Sequence, residues 1–517
     1  MLGLVASFLD PNQVAWSFVL VNKAAAVAAA CGDHGQRAPR TIRLGWVIAS
    51  GVLSTLEGRL QARNWCYGLT RRQRTDFLSR CAAAAGCSRA SLEGAVVAAG
   101  LLPPPLEVLV AAASAGRPAV CRWLVEALGC PGLHCLACLC LISAAGPGQG
   151  IVEEARAWLQ GLALSAGEET SSEEDWAKAA SGDLVAVWIR LYSSTSRAKD
   201  PAPYRLWSDA IKLAEARRDL EQPAAGGRPP WARLSRTPEF YRGPHAAQAV
   251  AGLAQTHPTS WSSSALEAAA ESGHTEAVRF LLSRGVRPFL SSATSAARNG
   301  NVGVLQALHE AGCIDDANRY ACLQEALAGG SLTTLEWLRA TFGAQALMLF
   351  HCWTYEKAGT ALNLAASSGS VPLLKAMPGL GLWPPGARWG MVPSTWWPSA
   401  VASGCEEAVE WLAVKTGVPK LFVGSVQCQA ALQGDLCMAQ RLHQLGFPYD
   451  DGAVAQLAET ARRVPAAAAA LPWLEEPGCP GSWEAAAAAA RPSAQAKEFG
   501  RAGGSLALGQ RGLGCGG

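Results

Sequence analysis

The chain has 517 residues, of which 50% are hydrophobic and 16% charged, which excludes an intrinsically disordered polypeptide. Lys and Arg number 44 against 41 Asp and Glu, a near balance that lacks the basic block of a dedicated nucleic-acid or membrane-surface binder. With 53 glycines and 30 prolines it is no coiled coil; the length fits about three or four ordinary domains, or one array of small repeats whose core grows in one dimension.

The first thirty residues are apolar, but Asp10 comes early, the start carries no basic residue and Pro11 lies inside, so a secretory signal is not expected. An organelle transit peptide remains compatible. Asp10-Pro11 predicts a helix start, with a capping carboxylate followed by proline in the first turn. Phe8, Leu9, Asp10, Pro11, Val14, Leu20, Val21, Asn22 and Lys23 follow a Phe-Leu-Asp-Pro turn, helix and Leu-Val-Asn-Lys order. This segment, residues 1–30, resembles an F-box, although that motif's leading Leu-Pro and its later Trp are missing. The resemblance implies docking on the adaptor subunit of a cullin-based ubiquitin ligase through Phe8, Leu9, Pro11, Leu20 and Val21. The alternative for the same residues is an N-terminal capping pair of helices.

From residue 42 to 192 a template recurs weakly. It consists of a glycine, apolar residues five and eight positions later, and a second glycine twelve or thirteen positions later. Gly51, Gly86, Gly116, Gly150 and Gly182 are spaced 35, 30, 34 and 32 residues apart. The clearest unit has Gly116, Cys121, Leu124 and Gly129. Thr70 is expected to open a helix whose Arg71-Arg72-Gln73-Arg74 run forms a solvated face. His134-Cys135-x-x-Cys138-x-Cys140 is the tightest His/Cys cluster. With no second chelating pair and with leucines interleaved, it reads as buried helix more readily than as a zinc site. No membrane span is expected: Leu133 to Ala145 is short of the ~20 residues a bilayer needs, and prolines 103 to 105 break the run from Ala95 to Ala113. Residues 193–260 read as a Pro-rich insertion or degenerate repeats, with one amphipathic helix from Leu206 to Leu220.

From 261 to 474 the template is strong. Gly273, Gly300, Gly330, Gly369, Gly404 and Gly434 are spaced 27, 30, 39, 35 and 30 residues apart. Five positions on stand Val278, Leu305, Leu335, Leu374, Val409 and Ala439; eight on stand Leu281, Leu308, Leu338, Met377, Leu412 and Leu442. A spacing of three puts each pair on one helix face. Four positions before each glycine is alanine (269, 296, 326, 365, 400 and 430), small enough for close helix approach. Nine before are Ser264, Ser291, Thr360, Thr395 and Ser425, expected as helix N-caps, with Ala321 the exception. Each unit therefore reads as helix, glycine turn, helix and loop, unable to bury its own apolar face until neighbours stack. Thr360-Ala361-Leu362-Asn363-Leu364-Ala365-Ala366 with Gly369 resembles the ankyrin signature T-P-L-H-x-A-A-x-x-G, without its proline. The resemblance implies an all-α, ankyrin-type helical repeat solenoid in two arrays. In it Gly116, Gly273, Gly300, Gly330, Gly369, Gly404 and Gly434 are structural hinges. Residues 475–517 read as an Ala/Gly-rich cap and tail.

Trp123, Trp337, Trp411 and Phe280 share one slot, seven after the glycine, which favours packing between units over recognition. Trp383, Trp389, Trp396 and Trp397, among prolines in the longest intervals, are expected on extended loops as a partner contact. His351-Cys352 and His443 read as ordinary packing or surface residues. No G-x-S-x-G, Walker loop or H-E-x-x-H occurs, so no enzyme, metal or cofactor is expected. The expected function is non-catalytic binding of a protein partner by a monomer, either as substrate receptor of a cullin-based ligase or as an autonomous scaffold. Seventeen dispersed cysteines point to a reducing compartment, cytoplasmic or nuclear.

Overall fold

The computed structural model describes residues 47–48, 50–130, 138–139, 141–142, 149–166, 263–315, 318–343, 355–382, 396–418 and 426–447. The segments 1–30, 193–260 and 475–517 lie outside these, with Phe8, Leu9, Pro11, Leu20, Val21, the predicted helix over 206–220, Trp383 and Trp389. Among the described residues the protein is all-α and holds no strand. Two groups of helices each enclose a hydrophobic core.

The first group comprises α1 (Leu56–Cys66), α2 (Arg71–Ala83), α3 (Arg89–Ala99), α4 (Leu106–Ser114), α5 (Pro118–Glu126) and α6 (Gln149–Ala166). Side chains at the helix starts take up otherwise unpaired backbone N–H groups. Thr55 Oγ1 accepts from Gly58 N at 3.1 Å, and Ser88 Oγ from Ser91 N at 3.1 Å. At α2, Thr70 Oγ1 accepts from Gln73 N while Gln73 Oε1 accepts from Thr70 N, a reciprocal capping box.

The second group runs α7 (Ser263–Glu271), α8 (Thr275–Ser283), α9 (Leu290–Asn299), α10 (Val302–Glu310), α11 (Arg319–Gly329), α12 (Leu332–Phe342), α13 (Tyr355–Ser368), α14 (Val371–Ala376), α15 (Trp397–Ser403), α16 (Glu406–Thr416), α17 (Val426–Leu432) and α18 (Leu436–Gln444). Odd-numbered helices pack on odd and even on even, unit after unit, so the six pairs form two parallel rows.

The hinge between the helices of a pair has a backbone cause. Gly273, Gly300, Gly330, Gly369, Gly404 and Gly434 all have φ between 65 and 78°, a region that costs a Cβ-bearing residue about 1 kcal/mol. At four of these hinges the residue after the glycine donates its N–H back to the alanine four before that glycine, and at the other two Ser370 N and Cys405 N donate to Ser368 Oγ and Ser403 Oγ. His274 N reaches Ala269 O, Asn301 N reaches Ala296 O, Ser331 N reaches Ala326 O and Asp435 N reaches Ala430 O, at 2.9–3.0 Å. The same alanines are buried, as are all twelve apolar residues five and eight beyond the glycines. The eight-beyond residue repeats the device at the far end of the pair: Leu281, Leu308, Met377 and Leu442 accept across Gly285, Gly312, Gly381 and Gly446.

Three expectations are corrected. Ser291 and Thr360 do not cap their helices: Ser291 is the second residue of α9, after Phe289, and Thr360 lies inside α13. Caps sit instead one position after the glycine, where Ser331, Ser370 and Asp435 accept from backbone N–H groups of α12, α14 and α18. In the first group, Gly86 is not in the left-handed region and Gly150 is the second residue of α6. Gly100 is a hinge that the spacing did not mark. The reason lies at the end of α2. The Arg117 guanidinium donates to the carbonyls of Cys81, Ala82, Ala84 and Cys87 at 2.6–3.4 Å, satisfying the helix end without a glycine. The Trp396 and Trp397 rings are each 2% exposed and lie 5.2 Å apart in a stack, with Trp397 edge-on to Phe447 at 4.9 Å. They open α15 from within the core and present no loop surface to a partner.

Candidate functional site

The two groups meet across a polar interface built on α1, α2, α15, α16 and α18. Arg74, expected on a solvated face, is fully buried. Its guanidinium makes a two-pronged ion pair with Asp435 and donates to Ala99 O at 2.6 Å and Gly404 O at 2.8 Å. Burial alone would lower the Arg74 pKa; the Asp435 charge and hydrogen bonds outweigh it, and the pKa is raised. Arg63 forms a second fork on Glu406, which is 2% exposed, at 2.8 and 2.6 Å. Glu410 receives both the Tyr67 hydroxyl and Arg441, whose guanidinium lies 5.7 Å from the Tyr67 ring centre. Backbone bonds continue the contact: Leu102 N to Gly434 O at 3.0 Å, Leu436 N to Gly100 O at 3.1 Å, and Glu407 N to Tyr67 O at 3.2 Å. A cavity of about 440 Å³ beside this lock is lined by Arg63, Tyr67, Glu406 and Arg441, whose charged and hydroxyl groups are already engaged, Arg63 with Glu406 and both Tyr67 and Arg441 with Glu410.

Beside the lock runs a larger groove of about 1140 Å³. Its wall is the face of α2 that carries Thr70, Arg72, Thr75, Asp76 and Ser79. Its floor is the last turn of four odd-row helices: Arg298-Asn299, Ala328-Gly329, Ser367-Ser368 and Ala402-Ser403. Apart from Arg298 and Asn299 the floor residues are small, and helix ends crowd the adjoining hinges: a Cβ on Gly369 would lie 3.0 Å from the Thr70 methyl, and one on Gly404 2.6 Å from Arg71 Cβ. Ser367, Ser368 and Ser403 donate their hydroxyl protons back to Leu364 O, Ala365 O and Ala400 O, and Asn299 Nδ2 donates to Ser295 O. Ser368 Oγ and Ser403 Oγ also accept from Ser370 N and Cys405 N, so the acceptors the floor keeps open are chiefly Ser367 Oγ and Asn299 Oδ1. The Ser79 hydroxyl, shielded from solvent on the wall, has no hydrogen-bond partner among the described residues.

The groove lining holds neither histidine nor cysteine. Among the described residues no group of His, Cys, Asp and Glu is placed to hold a metal ion. Of the predicted His/Cys cluster only Cys138 is described, 3% exposed in the core of the first group. Burial raises the thiols of Cys66, Cys121, Cys130 and Cys322 to about 12 and that of Cys437 to about 11, so they behave as small apolar residues. In the slot seven after the glycine, Trp123 is 8% exposed while Phe280, Trp337 and Trp411 are half-buried against the core. Trp337 packs edge-on against His309 of the preceding pair at 6.1 Å. No helix among the described residues is long and apolar enough to cross a membrane.

The groove and the lock leave little trace in the sequence because both join residues more than three hundred positions apart. The one local signal was the run of arginines at the start of α2, where cations oppose the helix dipole. No protein-family model matches the chain, and no curated protein matches it.

Proposed function

We propose that this chain is a non-catalytic protein-interaction module, an ankyrin-type solenoid in two arrays that holds a polypeptide in the groove between them. One observation carries the reading: a groove of about 1140 Å³ floored by a regular series of helix ends and walled by a helix from the other array. Its groups are hydrogen-bonding and shape-defining, as in repeat proteins that bind along an extended surface. A photo-crosslinking amino acid in the full chain tests this, placed at Ser367 on the floor or at Val414, which is 76% exposed on α16. Protein adducts in cells are expected at Ser367 and not at Val414; equal yields, or adducts at Val414 alone, would refute the groove.

The link to a cullin-based ubiquitin ligase rests on the F-box-like residues 4–30. Capture of the adaptor subunit by the full chain, lost when Leu9→Asp and Leu20→Asp are combined, is the outcome this reading requires. Failure to capture it leaves the autonomous scaffold.

A further inference from the structure

Taking the groove as a polypeptide site, we propose that its occupant is an extended segment of about seven to nine residues whose acidic end lies against Arg71 and Arg72. The length follows from the floor. Four neighbouring helix ends span three interhelix distances of roughly 8–10 Å each, or roughly 24–30 Å. An extended chain rises roughly 3.3 Å per residue, which gives the stated length.

Backbone N–H groups of an extended chain, unlike those of a helix, are available to partners. The floor presents matching acceptors: Ser367 Oγ and Asn299 Oδ1 keep free lone pairs because their donors serve their own helices. An acceptor-lined floor disfavours carboxylates along most of its length, so the acid is placed at one end.

Charge identifies that end. Of the charged residues lining the groove, Asp76 is held by Arg80 and Arg298 by Glu325, each at 2.9 Å. Glu107 is the remaining anion. Arg72 is exposed and has no partner among the described residues. Arg71 is half-buried, and the hydrogen bond from its guanidinium goes to the neutral Gln433 at 3.2 Å. Burial, with the neighbouring Arg74 charge, lowers its pKa despite the fields of Asp435 and Glu107. Both arginines sit in the first turn of α2, where the helix dipole adds to their mutual repulsion. Arg74 in the same turn is ion-paired with Asp435, whereas Arg72 has no ion partner among the described residues and Asp435 and Glu107 act on Arg71 only through space; an incoming carboxylate supplies both with a bonded partner.

The test uses the full chain and three fluorescein-labelled decapeptides of alternating Ala and Ser, ending in Glu-Glu, Gln-Gln or Lys-Lys at both termini. Fluorescence anisotropy is expected to show the Glu peptide binding about tenfold or more tightly than the Gln peptide, with the preference weakened by salt. Arg72→Gln, at an exposed position, is expected to bring the two peptides within about threefold of each other. Ala402→Trp, which fills the floor, is expected to abolish binding of all three. Equal affinity of the Glu and Gln peptides, a preference that survives Arg72→Gln, or no binding below about 1 mM overturns the acidic segment. If binding is equal but still lost in Ala402→Trp, the groove stands and only the acidic end falls. If Ala402→Trp leaves binding intact, the groove itself falls.

Discussion

Replacing Arg74 is expected to destabilise the protein by about 3–5 kcal/mol, the usual loss when one member of a buried ion pair is removed. The figure follows from what Arg74→Ala strands. Asp435 is 2% exposed and would keep one hydrogen-bond donor, the Met438 N–H at 3.2 Å, with the Arg71 charge acting on it through space. The carbonyls of Ala99 and Gly404 would each lose a charged donor. Those two terms are not added in full, because water can enter the space that the guanidinium leaves. Removing both charges should be far milder than removing one. Asn at 435 still caps α18, so Arg74→Met with Asp435→Asn leaves no orphan ion. A double-mutant cycle in urea, read from the shift of the same transition in each variant, should give a coupling of about 2 kcal/mol or more. A loss below about 1 kcal/mol for Arg74→Ala, or costs that add to within about 0.5 kcal/mol, would refute the buried lock.

Two hinge substitutions separate backbone strain from crowding. Gly285→Ala meets open space and should lose about 1 kcal/mol for its φ of 79° alone. Gly404→Ala should lose at least about twice that, since its Cβ would lie 2.6 Å from Arg71 Cβ and 2.8 Å from Arg71 N; equal melting temperatures would contradict the assignment. Hydrogen bonds from Tyr67 and Arg441 hold the Glu410 pKa below its ordinary 4.5. The folded pKa is thus depressed, so this contribution is complete above the unfolded value and fades as pH falls from 4.5 through the folded pKa; Glu410→Gln should flatten the acid limb of a melting-temperature profile. Burial and the bond to Glu410 raise Tyr67 from 10 to about 12, so its contribution should fade as pH rises between those values, a decline that Tyr67→Phe should remove. Maleimide labelling at neutral pH, mapped by mass spectrometry, should modify Cys313, which is partly accessible, well before Cys66, Cys121 or Cys437; comparable rates would contradict the packing.

The part of the fold that local chemistry fixes was legible. A left-handed glycine, an alanine carbonyl four before it and apolar residues five and eight beyond all act within one helix pair, so their spacing shows in the chain. Helix starts were less legible: the hydroxyls nine before the glycine looked like caps, yet Thr360 fell inside α13 because that helix begins five residues earlier, at Tyr355. The hinge at Gly86 was wrong for a related reason: Arg117, thirty positions beyond Cys87, closes α2 from outside the local pattern. Trp396 and Trp397 looked exposed because they fall in a long interval between hinges, but Phe447 receives them into the core. The groove was not legible at all, since its wall and floor belong to distant stretches.

The Arg74–Asp435 pair also bears on synthesis. Its two members are 361 positions apart. At about 5–20 residues per second, a ribosome takes roughly 20–70 s to deliver the aspartate after the arginine. Throughout that interval the nascent first group carries a guanidinium designed for a dry setting and must keep it hydrated. Its final geometry therefore awaits α18, and a chain truncated before Asp435 would leave the first group with an open, water-filled seam.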